Sequence, residues 1–318
     1  MNNRLVTLFG GAGFVGRYAA QALLRAGARV RFAERDPRRA FFLKPLGGLG
    51  QTQFVAADIG RADTVRRAVE GADAVVNLIG TFGADMERVH VDGAHTMATA
   101  ARAAGVEALV HVSAIGADPA GTSRYGRTKG LGEAAVRDAF PTVTILRPSV
   151  VFGPEDDFLN RFARLIARAP AVPVLRGPAR FQPVFGADVA DAIRFAATQP
   201  DRYAGVTAEL GGPDVVTMAE LMRFIADTLH RPGRQVPLPD IAGAILSRLP
   251  FAPLDTDQWL MLQRDNVVAP DAPGLATFGV PATPMASVAP GYLVRHRRLG
   301  RFARRPAEKQ DATADLSA

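Results

Sequence analysis

The chain has no cysteine among its 318 residues. That removes disulfides, thiolate metal sites and cysteine nucleophiles together. Its five histidines, at 90, 95, 111, 230 and 296, share no metal-ligand spacing, so no metal site is expected. No window approaches about eighteen uninterrupted apolar residues, which predicts no transmembrane span. The start, Met1-Asn2-Asn3-Arg4-Leu5, runs straight into an apolar stretch without the pattern of a secretion leader, and the expectation is a cytoplasmic protein. Acidic residues are missing from 283 to 306, where Arg295, Arg297, Arg298, Arg301, Arg304 and Arg305 crowd together. Such a run reads as a solvated tail or as a docking site for an acidic protein or anionic lipid. Leu293, Val294, Leu299 and Phe302 between the arginines favour docking. With so little aromatic content and a terminal position, nucleic acid is not the expected partner.

Against those absences stands an ordinary globular balance, 48% hydrophobic and 22% charged with a net charge of +7. The most informative stretch is Phe9-Gly10-Gly11-Ala12-Gly13-Phe14-Val15-Gly16. An apolar run precedes it and a helical pattern follows, the strand–turn–helix context of a dinucleotide fingerprint. Glycines let the backbone turn tightly and approach a pyrophosphate, and the helix N-terminus offers it free N–H groups.

Strands are predicted near 4–9, 29–33, 53–57, 74–79, 108–113 and 143–147. Helices are predicted near 14–26, 37–46, 62–70, 86–104, 125–138 and 155–168. The alternation predicts an α/β fold, a Rossmann-type doubly wound parallel sheet. We expect a nucleotide-binding domain over 1–150. A smaller C-terminal α/β region over 151–306 packs on it and returns some elements to the sheet, with a disordered tail over 307–318. Further helices are read at 187–198 and 217–229, then a proline-rich stretch from 232 to 290. The lone Trp259 reads as core.

Ligands of such sheets sit at the carboxyl ends of the strands. The residues expected there are Asp58 and Ile59, Asn77-Leu78-Ile79-Gly80, Ser113, and Arg147-Pro148-Ser149. After the second strand, Glu34 suits a ribose 2′-hydroxyl and so NAD. Arg35, with Arg38 and Arg39, suits a 2′-phosphate and so NADP(H), which is the cofactor favoured. Tyr125 and Lys129 lie four apart on one helical face. A nearby ammonium lowers a phenol's pKa, so Tyr125 is a candidate acid/base, Lys129 its tuner and ribose anchor, and Ser113 the donor to a substrate oxygen. A surface pair with no chemistry is the alternative.

The glycine turn and the Tyr-x-x-x-Lys pair resemble the extended and atypical short-chain dehydrogenase/reductase superfamily. Aligned with its sugar-nucleotide epimerases, the catalytic serine falls at Ile115 rather than Ser113. A more particular resemblance, from about residue 4 to 300, is to the nucleotide-binding accessory subunit family of respiratory complex I. It is carried by Phe9 to Tyr18, Leu49-Gly50-Gln51, Val76 to Gly80, Arg147-Pro148-Ser149, and Phe152-Gly153-Pro154-Glu155-Asp156. Phe158 to Ala163, Gln182-Pro183-Val184, Ala282-Thr283-Pro284 and Arg295-His296-Arg297 add to it. The resemblance implies a tightly held structural or sensing NADPH and complex I subunits as partners. It also implies a peripheral seat near the quinone site, which for a bacterial relative is the inner face of the plasma membrane. Contact with anionic lipid would run through 295–305, although Pro290-Gly291 is expected to interrupt a C-terminal amphipathic helix. Two other readings stay open, an active NAD(P)-dependent reductase, dehydrogenase or epimerase using Tyr125 and Lys129, and an NADP redox sensor.

Overall fold

The computed structural model describes residues 4–169, 171–231, 234–247 and 255–297. The expected tail over 307–318 and the arginines from 298 onward lie outside the described residues.

Strands β1 (Leu5–Phe9), β2 (Arg29–Glu34), β3 (Thr52–Ala56), β4 (Ala74–Asn77), β5 (Ala108–Val112) and β6 (Thr144–Pro148) are joined by right-length crossovers. Four crossovers are α1 (Phe14–Arg25), α2 (Ala62–Val69), α3 (Ala94–Ala103) and α4 (Arg124–Ala139), and a 3-10 helix over Pro37–Leu46 joins β2 to β3. One π-helical stretch, Arg88–Gly93, opens α3, so the helix expected over 86–104 changes pitch partway along.

The second half supplies β7 (Val151–Phe152), α5 (Phe158–Arg168), β8 (Ala171–Leu175), β9 (Arg180–Phe181), β10 (Val184–Phe185), α6 (Gly186–Thr198) and α7 (Pro200–Tyr203). It continues with β11 (Thr207–Leu210), β12 (Val216–Thr217), α8 (Met218–Thr228), β13 (Arg234–Leu238), α9 (Asp240–Leu246), α10 (Thr256–Met261) and α11 (Met285–Leu293).

One seven-stranded sheet runs in the order β11-β6-β5-β4-β1-β2-β3, and all its neighbours pair in parallel. Every residue of β1, β4 and β5 is buried, as continuous apolar runs covered on both faces require. The face under α1 is packed by Ala20, Leu23, Val110 and Leu146 together with Val189 and Ile193 of α6. The opposite face is packed by Val65, Met97, Leu109, Val136 and Ile145 beneath α2, α3 and α4. The second half therefore closes the first, lending it an edge strand and a covering helix. It also keeps a core of its own around Phe152, Leu159, Leu221, Ile225 and Leu293.

A buried carboxylate ties the C-terminal end to this second core. Asp156 accepts hydrogen bonds from the backbone N–H of Gly153, Leu159 and Asn160 and from the Tyr292 hydroxyl at 2.8 Å. Arg295 donates to the Pro154 carbonyl and to Asn160 Oδ1, and Arg297 donates to the Thr228 carbonyl. Two arginines of the basic stretch thus fasten it to the second half, Arg295 while remaining exposed. Pro290 does not interrupt α11. It forfeits a single helical hydrogen bond, and burial of Ala289, Tyr292 and Leu293 holds the turn together.

α4 lies so close to the π-helical stretch that a methyl group on Gly132 would stand 2.1 Å from the His90 carbonyl oxygen. Gly132→Ala is expected to lower stability by about 3 kcal/mol, as overpacking against rigid backbone does. In Gly291→Ala no atom lies within 4 Å of the new methyl. That variant is expected to match or slightly exceed the parent in urea unfolding.

Candidate functional site

The site begins where β1 turns into α1. Gly10 has φ +82°, a left-handed conformation that favours glycine. A methyl on Gly16 would lie 2.4 Å from the Gly10 carbonyl oxygen and 2.5 Å from that of Gly11. The first turn of α1 is therefore pressed against the loop Gly10-Gly11-Ala12-Gly13. Gly13 is the N-cap and offers no side chain to the free amides, and the first turn, from Phe14 and Val15 onward, carries no acidic residue. Those N–H groups and the helix dipole face outward, a fit for the pyrophosphate of a dinucleotide.

Glu34 ends β2 and accepts a 2.7 Å hydrogen bond from the Ala12 N–H. Burial raises its pKa, while that bond and the charges of Arg39 and Arg35 pull the other way. Arg35 and Arg39 are exposed, whereas Arg38 pairs with Asp36 at 2.9 Å.

Beyond β4, the backbone of Leu78 and Ile79 comes within 3.2–3.3 Å of where a Gly10 methyl would be. Buried Asn77 fixes this passage by accepting from the Ile79 N–H at 3.1 Å, while its amide contacts His111 Nδ1 at 3.1 Å. Gly80 then reaches Lys129, whose Nζ lies 3.7 Å from a methyl built at that glycine. Asp58 holds its own loop, accepting from the Gly60 N–H at 2.9 Å, and Ile59 is buried beside Gly93.

Lys129 is only 4% exposed, and Nζ donates to the Val112 carbonyl at 3.2 Å. Desolvation lowers its pKa to about 8, with Glu133 opposing. The ammonium is 5.9 Å from the centre of the Tyr125 ring. Burial pushes Tyr125 up to about 12, opposite to the lowering expected from the sequence, because desolvation governs the phenol. Phe82 stacks on that ring at 4.6 Å, and His90 meets it edge-on at 5.6 Å. His90 accepts from the Thr81 N–H at 3.0 Å and contacts the Thr128 hydroxyl at 2.9 Å, so it joins the loop after β4 to α4.

A cavity of about 50 Å³ lies against Tyr125 and Lys129. Its other walls include Ala114 and Ile115 after β5, Thr122 and Ser123 before α4, and Leu260, Met261, Arg264 and Asn266 from the second half. Ser113 is not among its walls, and its buried hydroxyl has no hydrogen-bond partner among the described residues. Arg147 is engaged by Glu133, with hydrogen bonds of 2.7 and 2.8 Å, and by Glu209 at 3.5 Å. The Pro148 carbonyl accepts from the Ile115 N–H, and the Ser149 hydroxyl contacts Asn266 Oδ1 at 2.6 Å. The structure thus gathers the glycine turn, Glu34, Leu78 to Gly80, Lys129 and Tyr125, while Arg147 and Ser149 brace the surrounding frame.

The sequence reading missed Asp257 of α10. Its carboxylate accepts from the N–H groups of Arg124 and Tyr125, capping the helix that carries the tyrosine. Trp259 is core, lying over Gly243 of α9. Among the described residues no three His, Asp or Glu side chains could hold a metal, and no helix is long and apolar enough to cross a membrane.

The parallel sheet with helices on both faces and the glycine turn between β1 and α1 define a Rossmann-type fold. The chain belongs to the NAD dependent epimerase/dehydratase family, which it matches over residues 6–211. Within that family it is 36% identical over 305 residues to NADH dehydrogenase [ubiquinone] 1 alpha subcomplex subunit 9, mitochondrial, of Rattus norvegicus, covering 92% of this chain and 80% of that one. It is 32% identical to a ceramide reductase of Caulobacter vibrioides, covering 76% of this chain and 77% of that one. The fold resembles a dTDP-glucose 4,6-dehydratase from Streptomyces venezuelae solved with NAD and TYD bound, with a TM-score of 0.70, 19% identity and coverage of 91% and 95%.

Two buried histidines give the site a pH signature. Desolvation, assisted by the Lys129 charge, lowers both His90 and His111 to about 3. Their neutral forms stabilise the fold fully above about pH 6.5, and that stability is lost as pH falls towards the folded values. The expected loss is up to roughly 1.4 kcal/mol per pH unit for each histidine. Urea unfolding between pH 7 and pH 5 should show it, with a shallower slope in His111→Asn.

Proposed function

We propose that this chain is an accessory or assembly subunit of a respiratory complex I that holds NADP(H) as a structural or sensing ligand. Its seat is peripheral, on the inner face of the plasma membrane, and anionic lipid contact through 295–305 belongs to the same reading. The observation that carries it is the 36% identity with a complex I subunit across 92% of the chain. The cavity beside Tyr125 supports it. It is small, about 50 Å³, and Ile115, Leu260 and Met261 are among the residues that line it.

NADP(H) is supported by the end of β2. The Glu34 carboxylate is already bonded to the Ala12 N–H, and the exposed guanidinium groups of Arg35 and Arg39 stand beside it. We assign those two to a 2′-phosphate. Arg35→Ala is expected to weaken NADPH binding about tenfold while leaving NADH binding unchanged, as one charge-assisted hydrogen bond predicts. Titration with each nucleotide reads this, and equal losses for both would remove the preference. For the assembly itself, affinity capture from native membranes is expected to recover complex I subunits together with bound NADPH. Recovery of none would end this reading.

A reductase is the second reading, favoured by the 32% identity with a ceramide reductase and by Tyr125 lying one turn from Lys129. It requires Tyr125→Phe to abolish NADPH oxidation without changing nucleotide affinity. A parent protein that oxidises no NADPH with long-chain keto compounds would exclude it.

A further inference from the structure

The segment after β2 leaves its apolar side chains outside. Phe41 and Phe42 are each 51% exposed, Leu46 is 40% exposed, and Leu49 is fully exposed. In a chain whose other large apolar groups are mostly buried, four such side chains within nine residues leave much apolar surface that packing inside this protein does not cover. The patch is not a loose end. The Phe41 ring rests edge-on against Phe54 at 5.1 Å, and Phe54 in turn stacks on Phe32 in the core. Phe42 lies under the Arg17 guanidinium at 5.2 Å, which fixes it to α1. Gly47 nestles against Thr52 and Leu24, and Asp36 caps the 3-10 helix from its start.

The exposed charges within this segment are predominantly of one sign, while outside it the Arg17 guanidinium over Phe42 is paired with Glu155 at 3.4 Å. Arg35, Arg38, Arg39 and Lys44 are exposed in the same stretch, and its single carboxylate, Asp36, is neutralised by Arg38. Exposed aromatic and leucine side chains in a segment that also carries exposed cations are what an interfacial segment presents to headgroups and upper acyl chains. A protein partner of ordinary affinity needs roughly 1,000 Å² of complementary surface, whereas a bilayer accepts a few projecting side chains of any shape.

We propose that residues 35–49 dock on an anionic phospholipid bilayer, with Phe41, Phe42, Leu46 and Leu49 entering the interface and Lys44 meeting the headgroups. This surface is built from a different segment of the chain than the arginine-rich stretch over 295–305, and the proposal depends on no respiratory complex. It also adjoins the nucleotide site. Arg35 and Arg39 lie between Glu34 and the patch, so one phosphate chemistry faces both a bound nucleotide and the membrane.

The experiment is co-sedimentation of the full-length protein with vesicles of phosphatidylglycerol and phosphatidylcholine in equal parts, and with phosphatidylcholine alone. The expected result is binding to the anionic vesicles only, reduced about tenfold or more in a Phe42→Ser/Leu49→Ser double variant. Lys44→Glu should weaken it several-fold, and both variants should keep the parent's melting temperature and NADPH affinity. Because Phe42→Ser removes the ring under Arg17 of α1, Leu49→Ser alone, at a fully exposed side chain, should still lower binding measurably with the melting temperature unchanged. Unchanged binding in the double variant would mean that the basic stretch holds the vesicle and would overturn the assignment. So would equal binding to neutral vesicles, or recovery of a soluble acidic protein that competes the vesicles away. Loss of complex I capture with vesicle binding intact would count against the assembly reading alone.

Discussion

Charge inside α4 is the constraint around which the site is arranged. Lys129 and Glu133 sit one turn apart and are both almost fully buried. A buried charge without a partner destabilises a fold by several kcal/mol, so each must be answered locally. Lys129 is met by the Val112 carbonyl, and Glu133 by a two-pronged bond from Arg147 across on β6. Arg147 then reaches Glu209 on β11, whose other oxygen accepts from the Ala269 N–H. A line of alternating charges thus runs from the candidate site through two strands into the second half. It orients α4 rotationally, and α4 is what sets Tyr125 against the cavity.

Much of this was readable from residue order. The glycine turn announced both the end of β1 and the start of α1, because only a loop meant for close approach concentrates glycine between an apolar run and an amphipathic one. The buried strands were legible as continuous apolar runs, and their predicted limits fall within about two residues of those observed. What resisted reading was whatever depends on distant pairing. Nothing near Asp257 says that its carboxylate caps a helix 132 positions earlier. Arg147 has the look of a strand-end ligand residue, and only the fold shows a buried glutamate waiting beside it. Ser113 and Ile115 both follow β5, and which of them meets the cavity is decided by the path of the irregular segment after the strand, which residue order alone does not give.

The second half shapes what the first can do. α10 brings Leu260 and Met261 against the place where chemistry would occur, while Asp257 on the same element fastens the helix bearing Tyr125. Access to the phenol is narrowed further by Phe82 stacked over it. Lys129 is thus buried and Tyr125 only partly exposed, with side chains of both halves of the chain around them.

The last strand to join the sheet has a consequence for how the protein is made. β6 ends at Pro148, and its parallel partner β11 is complete only at Leu210. During synthesis at about 5–20 residues per second, that edge waits roughly 3 to 12 s for its neighbour. Over the same interval the face that α6 will cover stays bare. An unpaired parallel edge beside an uncovered apolar face is the template on which nascent chains associate wrongly. The ribosome-bound protein is then most in need of a chaperone in this narrow window, after the nucleotide turn has already formed. A nucleotide bound early by that turn would brace the unfinished sheet while the remainder emerges.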